Sequence, residues 1–358
     1  MTRAYSILDR HIGVSIMAGT ALVIFVLFLL LSFVGFVEGL KHVGKANFDM
    51  WQLIRYVLLS QPKNLYLLFP AAALVGSTAG LSYLAANSEL IAMRAAGVSV
   101  WRIGAAVIKT GAVFILLTGL IGEYVVPVTE EMAQNGRAEA LGIGFTKKKY
   151  TGVWLRQDQE FINVREVLPD KTLLRVNVYR FDEQMQLRKH VEALSADYQD
   201  GKWMLRGALI SDINGASVSS RRQEFFPWQS KLTPDVLTVF TVKPESLSLW
   251  QLHQYIEHLQ QNRQQTGAYE LVFWRKLFSP VAIAIMLLLA IPFVFSPLRS
   301  ANMGPRVFLG ILIALLFYMV NLSFGSFAII SQWPPIVGAA APPLIFLTLV
   351  FWLFRRVA

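Results

Sequence analysis

The stretch GLKHVGKA (39–46) matches the phosphate-binding loop pattern up to its last position. There Ala46 stands where a Ser or Thr hydroxyl must reach magnesium, and the stretch follows an apolar helix instead of a strand. Nucleotide binding is therefore rejected. What remains is a cluster of positive charge, Lys41, His42 and Lys45, whose chemistry is anion binding. His253 and His258, five apart, point to different faces of a helix and suit a surface better than a metal. Asn321-Leu-Ser323 fits the glycosylation pattern but falls inside an apolar run. The chain has no cysteine, which excludes disulfides and thiolate metal sites. With no metalloprotease or nucleophile-elbow motif and no paired carboxylates, the sequence offers no catalytic constellation, metal or cofactor. It reads as a chain that binds or moves something.

A second constellation is NSELIAMRAAG (87–97), a short polar helix between two apolar runs. Asn87 or Ser88 is placed to cap it, Glu89 sits at the favourable end of its dipole, and Gly97 is placed to close it. Glu89 and Arg94 are five apart, about 140° around an ideal helix, so they do not neutralise each other. Glu89 is thus left for a partner, with Leu90, Met93 and Arg94 beside it. An unpaired Glu suits an anionic inner leaflet poorly, so docking to a protein is preferred over lying on lipid.

The elements that hold these residues follow from hydropathy. The chain is 54% hydrophobic and 16% charged, with mean hydropathy +0.47. Six apolar runs approach the 20 or so residues that a spanning helix needs. They are Ile12–Val37, Leu65–Ala86, Ile103–Val126, Leu277–Phe295, Val307–Ile330 and Ile336–Phe354. The first follows a basic start, yet it is too long for a signal peptide and ends without a small-residue cleavage site, so it is a retained anchor. Arg3, Arg10, Arg94, Arg102, Arg299, Arg306, Arg355 and Arg356 fall on termini and short loops of one side. The positive-inside rule makes that side cytoplasmic, with both termini, the 87–101 loop and SPLRSANMGPR (296–306).

The segment from 127 to about 268 then lies on the far side of the membrane. It has short alternating runs such as LLRVNVYRF (173–181), where Leu174, Val176 and Val178 share a face. Asp200-Gly201 in ADYQDGKWML (196–205) marks a hairpin, and GVWLRQDQEFINV (152–164) reads as another strand pair. The fold class is a six-span α-helical membrane protein with an inserted all-β domain, a sandwich or jelly-roll-like sheet. The division is 1–126, spans one to three with the 87–97 helix; 127–245, the β-domain; and 246–358, a connecting helix (246–265) and spans four to six. Residues 127–270 hold 18 basic and 18 acidic residues, leaving 15 and 5 for the rest. The net charge of +10 therefore belongs to the membrane part, and nucleic-acid binding is poorly supported.

Part of that excess is on the outer side. Lys41, His42 and Lys45 leave the first span there, Arg275 and Lys276 sit at the outer end of the fourth, and Arg137 is counted with them. One lysine alone would be read as snorkelling to headgroups. A cluster against the positive-inside trend, with Phe33 and Phe36 on the apolar run before it, suits an anionic ligand held in the outer leaflet. From the residues alone a membrane-anchored sensor stays open as an alternative, and a membrane enzyme is the weaker third.

Several motifs together resemble the lipopolysaccharide export permeases, the LptF/LptG family: LDRHIG (8–13), FVEGLKHVG (36–44), SELIAMRAAG (88–97), LTPDVL (232–237), FSPLRS (295–300), MGPRV (303–307) and PPIVGA (334–339). The resemblance covers nearly the whole chain. It implies a permease subunit of an ABC transporter of the bacterial inner membrane, extracting lipopolysaccharide and passing it to a periplasmic bridge for outer-membrane biogenesis. It further implies an LptF-like paralogue, two copies of an LptB-like ATPase, an LptC-like single-span protein and an LptA-like bridge. In that picture 87–97 is a coupling helix, the β-domain a periplasmic jelly roll, and ATP hydrolysis the partner's. Gly35 stands where the family leads one to expect a further basic residue, which puts the anion site on Lys41, His42 and Lys45.

Overall fold

The computed structural model describes residues 2–141, 153–157, 159–167, 172–199, 202–214, 217–228, 230, 244–261, 265–295 and 303–357. Among the described residues, six helices are long and apolar enough to cross a membrane. The first is α1 (Thr2–Gly39), followed by a 3-10 turn at Leu40–His42, then α2 (Met50–Ala86) and the short α3 (Glu89–Ala95). Next, α4 (Val100–Leu120) passes through a π turn (Ile121–Val125) into α5 (Val126–Ala140). After the sheet come α6 (Leu249–Gln261), α7 (Gly267–Phe295), α8 (Met303–Ile330) and α9 (Pro335–Val357). Five of the expected spans lie inside one long helix each, and the third runs through α4 and the π turn to the start of α5. The second begins 15 residues before Leu65, because Pro62 and Pro70 are carried inside the helix instead of ending it.

The chain divides into two compact units. The first comprises Met1–Gly35, Ser60–Val128 and Gly267–Ala358. Its core runs from Ile12 and Ile16 of α1 through Leu74, Leu81 and Leu84 of α2 and Ile103 and Val107 of α4 to Met286, Leu287 and Ile291 of α7. Polar side chains within it turn back on their own helices, as where Thr78 Oγ1 donates to the Leu74 carbonyl at 2.7 Å and Thr118 Oγ1 to that of Phe114 at 2.6 Å. The tightest approach is between α1 and α2. A Cβ on Gly76 would stand 2.3 Å from the Thr20 Cα, and one on Gly80 2.4 Å from the Ser15 carbonyl oxygen. Small residues spaced four apart let two backbones meet where lipid supplies no hydrophobic drive. Ser15 Oγ donates to the Gly80 carbonyl at 2.9 Å across the same crossing.

The second unit comprises Phe36–Leu59 and Thr129–Thr266, so it takes in the start of α2 as well as the sheet and α6. Its strands are β1 (Val153–Gln157), β2 (Glu160–Val167), β3 (Leu173–Phe181), β4 (Leu187–Gln199), β5 (Lys202–Asn214) and β6 (Ser217–Trp228). They form one antiparallel sheet in the order β1-β2-β3-β4-β5-β6. The inserted all-antiparallel domain is as expected. Its described strands are a meander, each pairing with its chain neighbour, and this order refines the jelly-roll-like expectation. Asp200-Gly201 themselves lie outside the described residues, but Gln199 pairs with Lys202 directly across them.

The buried face breaks phase in one transverse row. Inward residues step by two along each strand, then by three: Leu173 to Val176 in β3, Ala193 to Ala196 in β4, Leu205 to Ala208 in β5. Pairing is interrupted there at Arg175, Leu194 and Gly207. Arg175 has φ +51° and Gly207 φ +63°, and the Leu194 side chain covers Gly207, leaving 2.9 Å for any Cβ. Because β3, β4 and β5 gain a residue in the same row, opposite Arg165 of β2 and Glu224 of β6, register is kept on both sides. The expectation for Leu174 is corrected accordingly: Leu173, not Leu174, joins Val176 and Val178 on the buried face.

Candidate functional site

The short helix between spans two and three is α3, whose seven residues turn Leu90 inward. Leu90 is 2% exposed, in the core shared with Ile12 and Ile103, and Met93 packs partly against the same core. Both were expected on a docking face, and that expectation is corrected for Leu90, which its own chain covers. The outward face carries Ile91, 66% exposed, together with Arg94 and Ala95. Ser88 is the N-cap residue but sits in the left-handed region at φ +61° and makes no side-chain cap bond, contrary to the capping expectation. Gly97, at φ +86°, closes the helix as its position suggested.

Glu89 is paired within the chain. His11 Nε2 lies 2.5 Å from Glu89 Oε2, with both side chains partly exposed. Helical spacing could not show this, since the partner is 78 residues away. Two residues before His11, Asp9 binds two cations of α4: Arg102 Nη2 at 2.5 Å from Oδ1 and Lys109 Nζ at 2.6 Å from Oδ2. The start of α1 is therefore fastened by two carboxylate contacts, one to α3 and one to α4. Sequence reading missed this network. Its only trace was Asp9-Arg10-His11 at the head of an apolar run, polar residues where a plain anchor needs none.

In the second unit, Lys41 and His42 occupy the 3-10 turn after α1, and the Lys45 amide donates to the His42 carbonyl at 3.2 Å. This loop is held by a small core of Phe48, Leu53, Val57 and Ala140, with Phe36 and Val43 against it. The Asn47 amide donates to the Ala140 carbonyl at 2.9 Å, fixing the loop to the end of α5. One turn before that end, Arg137 Nη1 donates to the Tyr56 hydroxyl at 3.0 Å, with its guanidinium 4.7 Å from the ring centre. So Lys41, His42 and Lys45 lie on one loop, which is fixed beside the helix end that carries Arg137. Phe33 of α1, in the first unit, is exposed.

Arg275 and Lys276 behave otherwise. Arg275 Nη2 donates to the Asn321 carbonyl of α8 over Gly325, where a Cβ would collide with the guanidinium. Lys276 is 8% exposed and its Nζ donates to the Gly122 carbonyl at 3.3 Å, beside the Tyr66 ring. Both were expected to meet a ligand, and both are instead engaged inside the helix bundle. An unpaired cation among apolar helices is costly, so a long side chain there seeks the nearest carbonyl.

Six apolar helices, a polar helix facing out between two of them and an inserted antiparallel sheet define a multi-pass membrane protein of the permease class. The family profile of lipopolysaccharide export system permease LptF/LptG matches residues 10–356, and the chain belongs to that family. It is 38% identical over 351 residues to lipopolysaccharide export system permease protein LptG of Haemophilus influenzae, covering 98% of each chain. To LptG of Escherichia coli K12 it is 36% identical over 355 residues, covering 98% of this chain and 99% of that one.

Proposed function

We propose that this chain is the membrane subunit of an ATP-driven exporter, taking lipopolysaccharide from the outer leaflet of the inner membrane and handing it to a periplasmic bridge. The termini and α3 face the cytoplasm in this reading, which rests on the one-sided arginines. The observation that carries it is the cluster of Lys41, His42 and Lys45 directly after the first span, beside the helix end that carries Arg137, where phosphates of an outer-leaflet lipid would lie. The outward face of α3 serves as the seat of a separate ATPase of the LptB type, supplied in two copies. An LptF-like paralogue completes the membrane part, and LptC-like and LptA-like proteins continue the route.

The deciding experiment is purification of the complex in mild detergent, followed by mass spectrometry of its subunits and retained lipid. A stoichiometric ATPase and bound lipopolysaccharide support the reading. A chain that brings down neither is a sensor or assembly factor.

A further inference from the structure

Resting on the reading of the outer cations as the seat of the lipid's phosphates, we infer that His42 is the titrating member of that site. It is a neutral hydrogen-bond donor at neutral pH and a further cation in acid, so affinity for the lipid rises as pH falls. The loop that carries it is rigid. His42 ends the 3-10 turn, half-buried, between the exposed Lys41 and Lys45. The Val43 amide donates to the Leu40 carbonyl and the Lys45 amide to that of His42, each at 3.2 Å. The Gly44 amide donates to the Phe48 carbonyl and the Phe48 amide to that of Lys45, each at 3.0 Å. Gly44 at φ +84° and Ala46 at φ +50° turn the chain back to close this ring of bonds. Tyr56 steadies Arg137 beside it, by hydroxyl and ring face together. Backbone bonds therefore hold the imidazole among cations that repel its charged form.

The charges that act on His42 are Arg137 of α5 and Lys45 and Lys41 of its own loop. Among the described residues, Glu38 of α1, Asp49 and Arg55 beside and on α2, and Glu139 of α5 add nothing to that field. Asp49 is occupied as the cap of α2, its Oδ1 accepting from the Gln52 amide at 2.8 Å. Burial first, then the three cations, hold the pKa of His42 below its ordinary 6.5, so it is neutral at pH 7. A lysine at this position would repel its neighbours at all times. A histidine takes the charge only when an anion is there to receive it. A phosphate seated on the loop turns repulsion into attraction and raises the pKa of His42, and by linkage protons tighten the phosphate. The gain begins as pH falls through the raised, bound value and is complete below the depressed, free one.

The test uses the whole complex, with its paralogue and ATPase, reconstituted in nanodiscs. Its affinity for purified lipopolysaccharide is measured from about pH 8 to about pH 5, at low and at high salt. Phosphate monoesters take up a proton of their own near pH 6, so the quantity read is the ratio of parent affinity to that of His42→Gln at each pH. One more charge facing a phosphate is worth about fivefold in affinity. The ratio should rise by about that factor from the alkaline to the acid end of the range. His42→Lys, charged throughout, should bind about fivefold tighter than His42→Gln at every pH, which guards against a loop that fails to form. A flat ratio with salt-sensitive binding overturns the inference and leaves the anion site standing. Equal binding by His42→Lys and His42→Gln overturns it as well. A parent whose binding ignores salt ends the anion-site reading, and the inference with it.

Discussion

The Nζ of Lys276 lies 3.3 Å from the carbonyl oxygen of Gly122, inside the π turn that joins α4 to α5. A π turn leaves backbone carbonyls without regular helical partners, and a buried ammonium needs such an acceptor. A Cβ on Gly122 would meet the Tyr66 ring at 2.4 Å, so the glycine lets helix, ring and lysine close together. Lys276→Met should strand this acceptor and cost about 1–3 kcal/mol of stability. A lowered melting temperature with unchanged lipid retention is the expected outcome. Loss of lipid at unchanged stability would return Lys276 to the ligand site.

The two faces of α3 make opposite predictions. Leu90→Ala should cost about 2–5 kcal/mol, as for other buried leucines, and appear as poor yield or a lower melting temperature. Ile91→Asp should leave stability intact and reduce the amount of ATPase recovered with the complex. Glu89→Ala should insert normally but transport less lipid per ATP, and transport at the parental rate would remove Glu89 from the mechanism.

For the outer cations, each charge near a lipid phosphate contributes about 1 kcal/mol. Reversing both Lys41 and Lys45 to Asp should lower affinity roughly a hundredfold or more, because 1.4 kcal/mol is a factor of ten and reversal adds repulsion. Lipopolysaccharide-stimulated ATPase activity should vanish while the complex still assembles. Gln at both positions should be intermediate and salt-sensitive. Normal lipid retention in the double Asp variant would reduce the cluster to headgroup snorkelling.

The turn after β3 should respond to acid. Asp182 Oδ1 accepts from the amides of Gln186 at 2.9 Å and Gln184 at 3.0 Å, and Oδ2 from Arg188 Nε at 2.7 Å. The Gln186 amide foremost, with Arg188 and Gln184 adding to it against the opposing desolvation, holds its pKa below the usual 3.8. A depressed folded pKa means that the stabilisation is present above the unfolded value, near 4, and is lost as pH falls through the lower folded value. The protection of the Gln184 and Gln186 amides against hydrogen exchange, relative to their intrinsic rates, should therefore fall below pH 4, and Asp182→Asn should abolish that dependence.

The spans were readable because a run of some twenty apolar residues has few other uses, and Asp200-Gly201 announced its hairpin by turn chemistry. Lys41, His42 and Lys45 stood out because they oppose the topology's charge rule. What could not be read depends on distance along the chain or on one-residue phase. Helical spacing separates Glu89 from Arg94 but is silent about His11. Leu90 and Ile91 are adjacent aliphatic residues, and only the fold decides which is covered. The identical alternation of LLRVNVYRF fits either phase, and a left-handed Arg175 decides for Leu173. Arg275 and Lys276 differ from Lys41 only in what lies beside them.

The row through Arg175, Leu194 and Gly207 has a consequence for how the sheet tolerates change in length. Deleting Leu194 alone would slip half of β4 by one residue against its neighbours, turning Ala196 out and Asp197 in, while β3 and β5 kept their phase. Deleting all three residues at once would keep β3, β4 and β5 in register with one another, but Arg165 of β2 stands opposite Arg175 and Glu224 of β6 opposite Gly207, so the pairings with β2 and β6 would each slip by one. Length at this row is therefore inherited jointly across the sheet: only a deletion that takes Arg165 and Glu224 as well leaves every pair in place.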